Sequence, residues 1–178
     1  MHELCGPRIE QKDYVKEVMY DGNTLQHLLI LVPVKDMKTL TITWPQLPDR
    51  RHLWDGKPAN YISHCVGHEG KYSLKSELIK QGLVVTCDAG CGARLNSCVS
   101  NLSVTCNLTD KGVEKWQEVV RLTFAFINKM RVSGVKPYIM HELKTMNRIG
   151  FDFTGRKAAL QTSSALALAL SAWRGTEN

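Results

Sequence analysis

The sequence contains neither His-Glu-x-x-His nor His-x-x-Glu-His, so it lacks the paired imidazoles and interposed carboxylate with which a helix holds zinc and polarises water. Also missing are Gly-x-Ser-x-Gly and a cysteine set between a base and an oxyanion loop, and Gly90-Cys91-Gly92 has neither the spacing nor the lysine of a phosphate cradle. These gaps argue against hydrolase and nucleotide-binding functions. Aromatic residues are only 7% of the chain and none interleaves a basic run. The net charge of +6 is spread thinly, densest at Arg50-Arg51-His52, which reads as a solvated basic surface and not as a nucleic-acid site. No apolar run is long enough to cross a bilayer, because residues 158–173 are interrupted by Gln161, Thr162, Ser163 and Ser164. The first residues have no apolar h-region, so no secretory signal is expected, and the Asn101-Leu102-Ser103 and Asn107-Leu108-Thr109 sequons read as chance. Six cysteines, Cys5, Cys65, Cys87, Cys91, Cys98 and Cys106, are too sparse for a disulfide scaffold in 178 residues, and a reducing, cytoplasmic compartment fits best.

What is present is ordinary globular composition, 43% hydrophobic and 22% charged, enough for one domain with a buried core. Residues 1–24 are polar and irregular and read as a linker or disordered start. The apolar run 25–34 predicts a buried strand and 39–44 its neighbour, with Leu40, Ile42 and Trp44 on one side and Thr39, Thr41 and Thr43 on the other. Such alternation belongs to a sheet covered on one face. Pro58 suits the first turn of a helix carrying Tyr61, Ile62, Cys65 and Val66, and Gly67 ends it. Ser73 can cap the next helix, with Leu74 and Leu78 on its inner face and Gly82 as its stop. A strand follows over 83–87. Residues 88–92, small and bend-prone, are read as interrupting it before a long strand in which Cys98, Leu102, Val104, Cys106 and Leu108 alternate with polar residues. Thr109 or Asp110 can cap the longest helix, whose expected stripe is Val113, Trp116, Val120, Phe124, Ile127 and Met130, and Pro137 opens another. Strands followed by packed helices predict an α+β fold: a mainly antiparallel sheet with helices on one face.

The stretch richest in chemistry is HCVGHEGKYSLKSEL, residues 64–78. His64 and His68 stand four apart, but Glu69 lies outside the pair, and Gly67 and Gly70 bracket His68 and Glu69 in what reads as a loop. Two plain readings stand beside the functional ones. His64 in a helix's last turn interacts favourably with the dipole, and Cys87 serves as a small buried hydrophobe. The alternatives are substrate contact, or a structural zinc site joining Cys87 and Cys91 to the two histidines.

Gly67-His68-Glu69-Gly70, with Ser73-Leu74 and Ser76-Glu77-Leu78, resembles the glycine-loop signature of the second domain of insulinase-type, pitrilysin-like zinc metallopeptidases. Val32-Pro33-Val34-Lys35-Asp36, Leu40-Thr41-Ile42-Thr43-Trp44-Pro45, Asn107-Leu108-Thr109-Asp110-Lys111-Gly112 and Phe151-Asp152-Phe153 resemble that domain's other signatures, in the same order. The family has glycine where this chain has Tyr72. The resemblance spans residues 25–153 and implies a metallopeptidase-insulinase-type domain truncated at its C-terminal end, followed by a divergent tail over 154–178 that could form a helix. It further implies a non-catalytic domain: zinc belongs to the family's catalytic domain, with no cofactor, catalytic residue or metal ligand in this chain. The implied role is an exosite that holds a substrate's N-terminal segment, formed by His64, Gly67, His68, Glu69 and Gly70 with an edge strand at Thr86, Cys87, Asp88, Ala89 and Gly90. There Glu69 or Asp88 is expected to pair with the peptide's α-ammonium. Expected partners are peptide substrates and the catalytic domain or a full-length relative, with no nucleic acid and no membrane. The rival expectation is a standalone interaction module that binds a full-length relative.

Overall fold

The computed structural model describes residues 20, 23, 25–46, 58–92 and 100–172. Most of the polar start, residues 47–57 and Cys98 lie outside the described residues. The chain divides into two compact units, Met1–Lys136 and Pro137–Asn178.

In the first unit a three-stranded antiparallel sheet is built from β1 (Thr39–Gln46), β2 (Val84–Gly92) and β3 (Ser100–Leu108) in the order β1-β3-β2. Between β1 and β2 come α1 (Pro58–Val66) and α2 (Leu74–Lys80), and after β3 come α3 (Asp110–Glu114) and α4 (Trp116–Ser133). The expected alternation holds in β1, where Leu40, Ile42 and Trp44 turn partly inward and Thr39, Thr41 and Thr43 stay exposed. The outer face is mostly polar. Thr39 Oγ1 donates to Asn107 Oδ1, Asn107 Nδ2 donates to Thr86 Oγ1, and the Thr41 and Thr105 hydroxyls lie 3.5 Å apart. The inner face carries the core: Val66 of α1, Leu74 and Leu78 of α2, Leu83, Val84, Cys87, Val104, Cys106 and Val119 of α4.

Several expected features are corrected. Residues 28–32 form no strand; their side chains are exposed because no described segment pairs with them, and an apolar run alone does not make a ladder. Residues 88–92 do not interrupt β2, which stays in register from Asp88 opposite Thr105 to Gly92 opposite Asn101. The irregularity is instead a register shift between Val84 and Thr86, which turns Val85 outward and lets both Val84 and Cys87 face the core. Lys115 breaks the long helix: Thr109 caps only α3, accepting from Gly112 N–H at 3.0 Å, and α4 restarts at Trp116 with its phase changed. The buried residues are therefore Val119 and Thr123, with Leu122, Phe126, Ile127 and Met130 beside them, while Val113 and Phe124 are half exposed. Thr123 is tolerated in the core because its hydroxyl donates to Val119 O at 2.8 Å. Phe124 still meets Trp44 edge to face, the ring centroids 5.6 Å apart.

Asn107-Leu108-Thr109-Asp110-Lys111-Gly112 is an architectural joint. Leu108 N–H donates to Lys38 O, Asp110 pairs with Lys38 at 2.5 Å, Thr109 Oγ1 donates to Gly82 O, and Lys111 Nζ donates to Gln81 O at 2.6 Å. One short motif thus ties the beginning of β1, the end of α2 and the entry to α4 to the central strand.

The second unit contains α5 (Pro137–Asp152), opened by Pro137 as expected and burying no residue, and α6 (Ala159–Ala172), the helix expected in the tail. Among the described residues no helix is long and apolar enough to cross a membrane.

Candidate functional site

The end of α1, the loop to α2 and the outer strand β2 meet at one place. His64 occupies the last turn of α1, half-buried, and the helix ends with Gly67 N–H donating to Ser63 O at 2.8 Å. Gly67 is glycine for reasons of contact and not of backbone angle: a Cβ there would stand 3.0 Å from Ser63 O and 3.3 Å from the Ala89 nitrogen. A side chain here would press the loop away from β2 by a few tenths of an ångström.

His68 follows in the loop, exposed, its ring edge to face with His64 at 5.8 Å between centroids. Its Nδ1 accepts from Gly70 N–H at 2.9 Å, and the imidazole lies where a side chain on Gly70 would project. Tyr72 adopts φ +68°, the left-handed region that glycine enters freely, so the loop keeps the backbone course expected of a glycine at that position. Ser73 then starts α2, its Oγ accepting from Ser76 N–H at 3.1 Å while Ser76 Oγ donates back to Ser73 O.

β2 is an edge strand: β3 pairs with one side, and no described strand lies beyond the other. Which of its main-chain groups face outward follows from the register. Cys87 stands opposite Cys106 with Cα atoms 4.0 Å apart, the spacing of a pair that does not exchange hydrogen bonds. Asp88 and Gly90 therefore bond to β3, and the N–H and C=O groups of Cys87, Ala89 and Cys91 point to the free edge. Along the strand Cys87 is buried, Ala89 half-buried, Thr86 partly exposed, and Asp88 and Gly90 are exposed.

The sequence reading did not anticipate that Cys87 and Cys106 are joined as a disulfide. Their pairing depends on strand register, which residue spacing alone does not reveal. It removes Cys87 from the four-ligand zinc alternative, and zinc does not fit the residues present: among the described residues no three His, Cys, Asp or Glu side chains converge. Cys65 and Cys91 are free, and burial pushes both thiols up, away from the thiolate a nucleophile needs.

Sequence reasoning also missed Lys75. From the first turn of α2 its Nζ reaches Glu69 Oε1 at 2.5 Å and Asp88 Oδ1 at 3.7 Å, with its side chain only 14% exposed. The hydrogen bond and charge of Lys75 hold the Glu69 carboxyl below its usual range, and Glu69 in turn raises Lys75. The spacing from Glu69 to Lys75 is neither i,i+3 nor i,i+4, so no helical rule would have flagged it.

Residues 10–147 match the family model of the peptidase M16 inactive domain. The chain is 33% identical over 157 residues to the A-factor-processing enzyme of Saccharomyces cerevisiae, covering 88% of this chain and 15% of that one. It is 32% identical over 123 residues to the insulin-degrading enzyme of Drosophila melanogaster, covering 69% and 12%, and 32% identical over 137 residues to nardilysin of Homo sapiens, covering 75% and 12%. In fold it is similar to the crystal structure of pitrilysin, with a TM-score of 0.69 at 24% identity over 75% of this chain and 14% of that one. The chain spans less than a fifth of the length of the curated relatives it matches.

Proposed function

The chain belongs to the peptidase M16 family as its inactive domain, not an enzyme on its own, and from that premise we propose that it anchors extended peptide substrates for a catalytic centre carried elsewhere. The observation that supports this most is the free edge of β2, whose outward main-chain groups at Cys87, Ala89 and Cys91 run beside the Gly67-His68-Glu69-Gly70 loop. An extended peptide adds to such an edge by main-chain hydrogen bonds, which read no side chains, so sequence specificity is loose. His64 and His68 line the approach. A short peptide gains little buried area and loses chain entropy on ordering, so dissociation constants of roughly micromolar to millimolar are expected.

The experiment is a titration of isotope-labelled chain with a peptide of about ten residues, long enough to cover a strand of ordinary length. Amide shifts should concentrate at residues 64–70 and 86–91. Shifts confined to α4, or to the opposite edge at β1, would remove the assignment.

One observation favours a second reading, an interaction module that docks on a full-length relative: the run Leu28, Leu29, Ile30, Leu31 and Val32 is exposed. Size exclusion of the chain mixed with such a relative separates the two. The cytoplasmic address expected from cysteine usage belongs to the same proposal; the Cys87–Cys106 bond, which a reducing compartment would open, stands against it.

A further inference from the structure

Glu69 and Asp88 are the two carboxylates beside the free edge of β2, and both are already held by one cation. Lys75 rises from α2 on the helix-covered face of the sheet, whereas strand alternation turns Asp88 to the opposite face. Lys75 nevertheless brings its Nζ to 3.7 Å from Asp88 Oδ1 and 2.5 Å from Glu69 Oε1, so one ammonium serves a carboxylate of the loop and one of the edge strand. Its side chain is 14% exposed, while both carboxylates are three-quarters exposed. The ammonium therefore sits where a peptide's amino end would need its counter-ions.

We propose that Lys75 is the specificity-determining residue of this edge: by occupying Glu69 and Asp88 it makes peptide capture indifferent to a free amino terminus. The inference rests on the peptide-anchoring reading. An incoming α-ammonium would have to displace a tethered ammonium whose effective concentration, for so short a connection, is on the order of millimolar or more. Trading one ammonium for another gains almost nothing, because the two ions have the same charge and similar hydrogen-bonding capacity. Lys75 also guards the edge as a lysine on an exposed strand does, so that only a chain able to replace its contacts with a full ladder of main-chain bonds settles there. This narrows the expected role of Glu69 and Asp88, which serve Lys75 and not the substrate's amino end.

The test uses the full chain, a soluble ten-residue peptide rich in serine and threonine, and its N-acetylated twin, with affinities read from amide shifts on β2. The unsubstituted chain should bind the two within about a factor of two of each other. Lys75→Met should release both carboxylates and make the free-amine peptide bind about fivefold tighter than its twin, the gain of one partly exposed ion pair. Glu69→Gln added to Lys75→Met should reduce that preference. Lys75→Gln, which keeps a polar side chain of similar length, reads the same ratio if Lys75→Met lowers the folded fraction. A fivefold preference for the free amine in the unsubstituted chain, or a ratio left near one in both lysine variants, overturns the role of Lys75 while peptide anchoring stands. If neither peptide shifts β2 in any of these proteins, the anchoring reading falls and the inference falls with it.

Discussion

The side chain that Gly112 lacks would overlap the carbonyl oxygen of Leu83, the residue that leads into β2. The contact is backbone against backbone position: Thr109 N–H donates to the same Leu83 oxygen at 3.1 Å, and Thr109 Oγ1 caps Gly112 at 3.0 Å. The joint that fixes the edge strand thus closes on a site where only glycine fits.

Gly112→Ala should accordingly destabilise the first unit by about 2–3 kcal/mol, the upper part of the roughly 1–3 kcal/mol range of overpacking in a tight interior. Urea unfolding monitored by circular dichroism checks it, with Gly155→Ala as a control because a Cβ there meets nothing.

Tyr72→Gly should do the opposite. Tyr72 sits at φ +68° with its ring mostly exposed, and Lys71 Nζ lies 5.1 Å from the ring centroid. Relief of a left-handed backbone is worth about 1–2 kcal/mol, offset by about 0.5–1 kcal/mol for the greater freedom of glycine in the unfolded chain. A net gain of several tenths of a kcal/mol in thermal or urea unfolding is the expected outcome.

Acid should weaken the loop through Glu69. Its folded-state carboxyl lies below the ordinary 4.5, held there chiefly by the hydrogen bond and charge of Lys75 with a smaller contribution from His68. A depressed folded value contributes stability above the unfolded value and loses it as pH falls through the folded one. The window therefore opens near 4.5 and extends downward. Side-chain carboxyl NMR should find Glu69 titrating low, and Lys75→Met should return it toward 4.5. An unmoved titration would separate Lys75 from Glu69.

The legible parts of this fold are those set by local chemistry. Ser73 as a cap, Gly82 as a stop at φ +68°, and the inward Leu40, Ile42 and Trp44 could each be read from residue type and spacing. The features that escaped depend on partners distant in sequence. Residues 28–32 have strand composition but no described strand beside them, Lys115 changes the phase of a stripe that looked continuous, and Val85 steps out of a regular alternation. At the candidate site the glycine loop was visible as a motif. The Cys87–Cys106 pairing, the Lys75 bridge and the outward parity of Cys87, Ala89 and Cys91 required the register of β2 on β3.

Exposed apolar surface should make the chain associate with itself. Leu29, Ile30 and Leu31 are at least three-quarters exposed, forming a run without a single intervening charge. Sedimentation velocity should show concentration-dependent oligomers that Leu29→Lys together with Leu31→Lys reduces.

Hydrogen exchange at single amides tests peptide anchoring most directly. Without peptide, the amides of Asp88 and Gly90 should already be protected by β3, while those of Cys87, Ala89 and Cys91 exchange freely. With a saturating ten-residue peptide, Cys87, Ala89 and Cys91 should slow by at least about tenfold, and β1 should not change. Protection that appears on β1, that leaves the three outward amides exchanging as before, or that is already present on them without peptide would contradict the account.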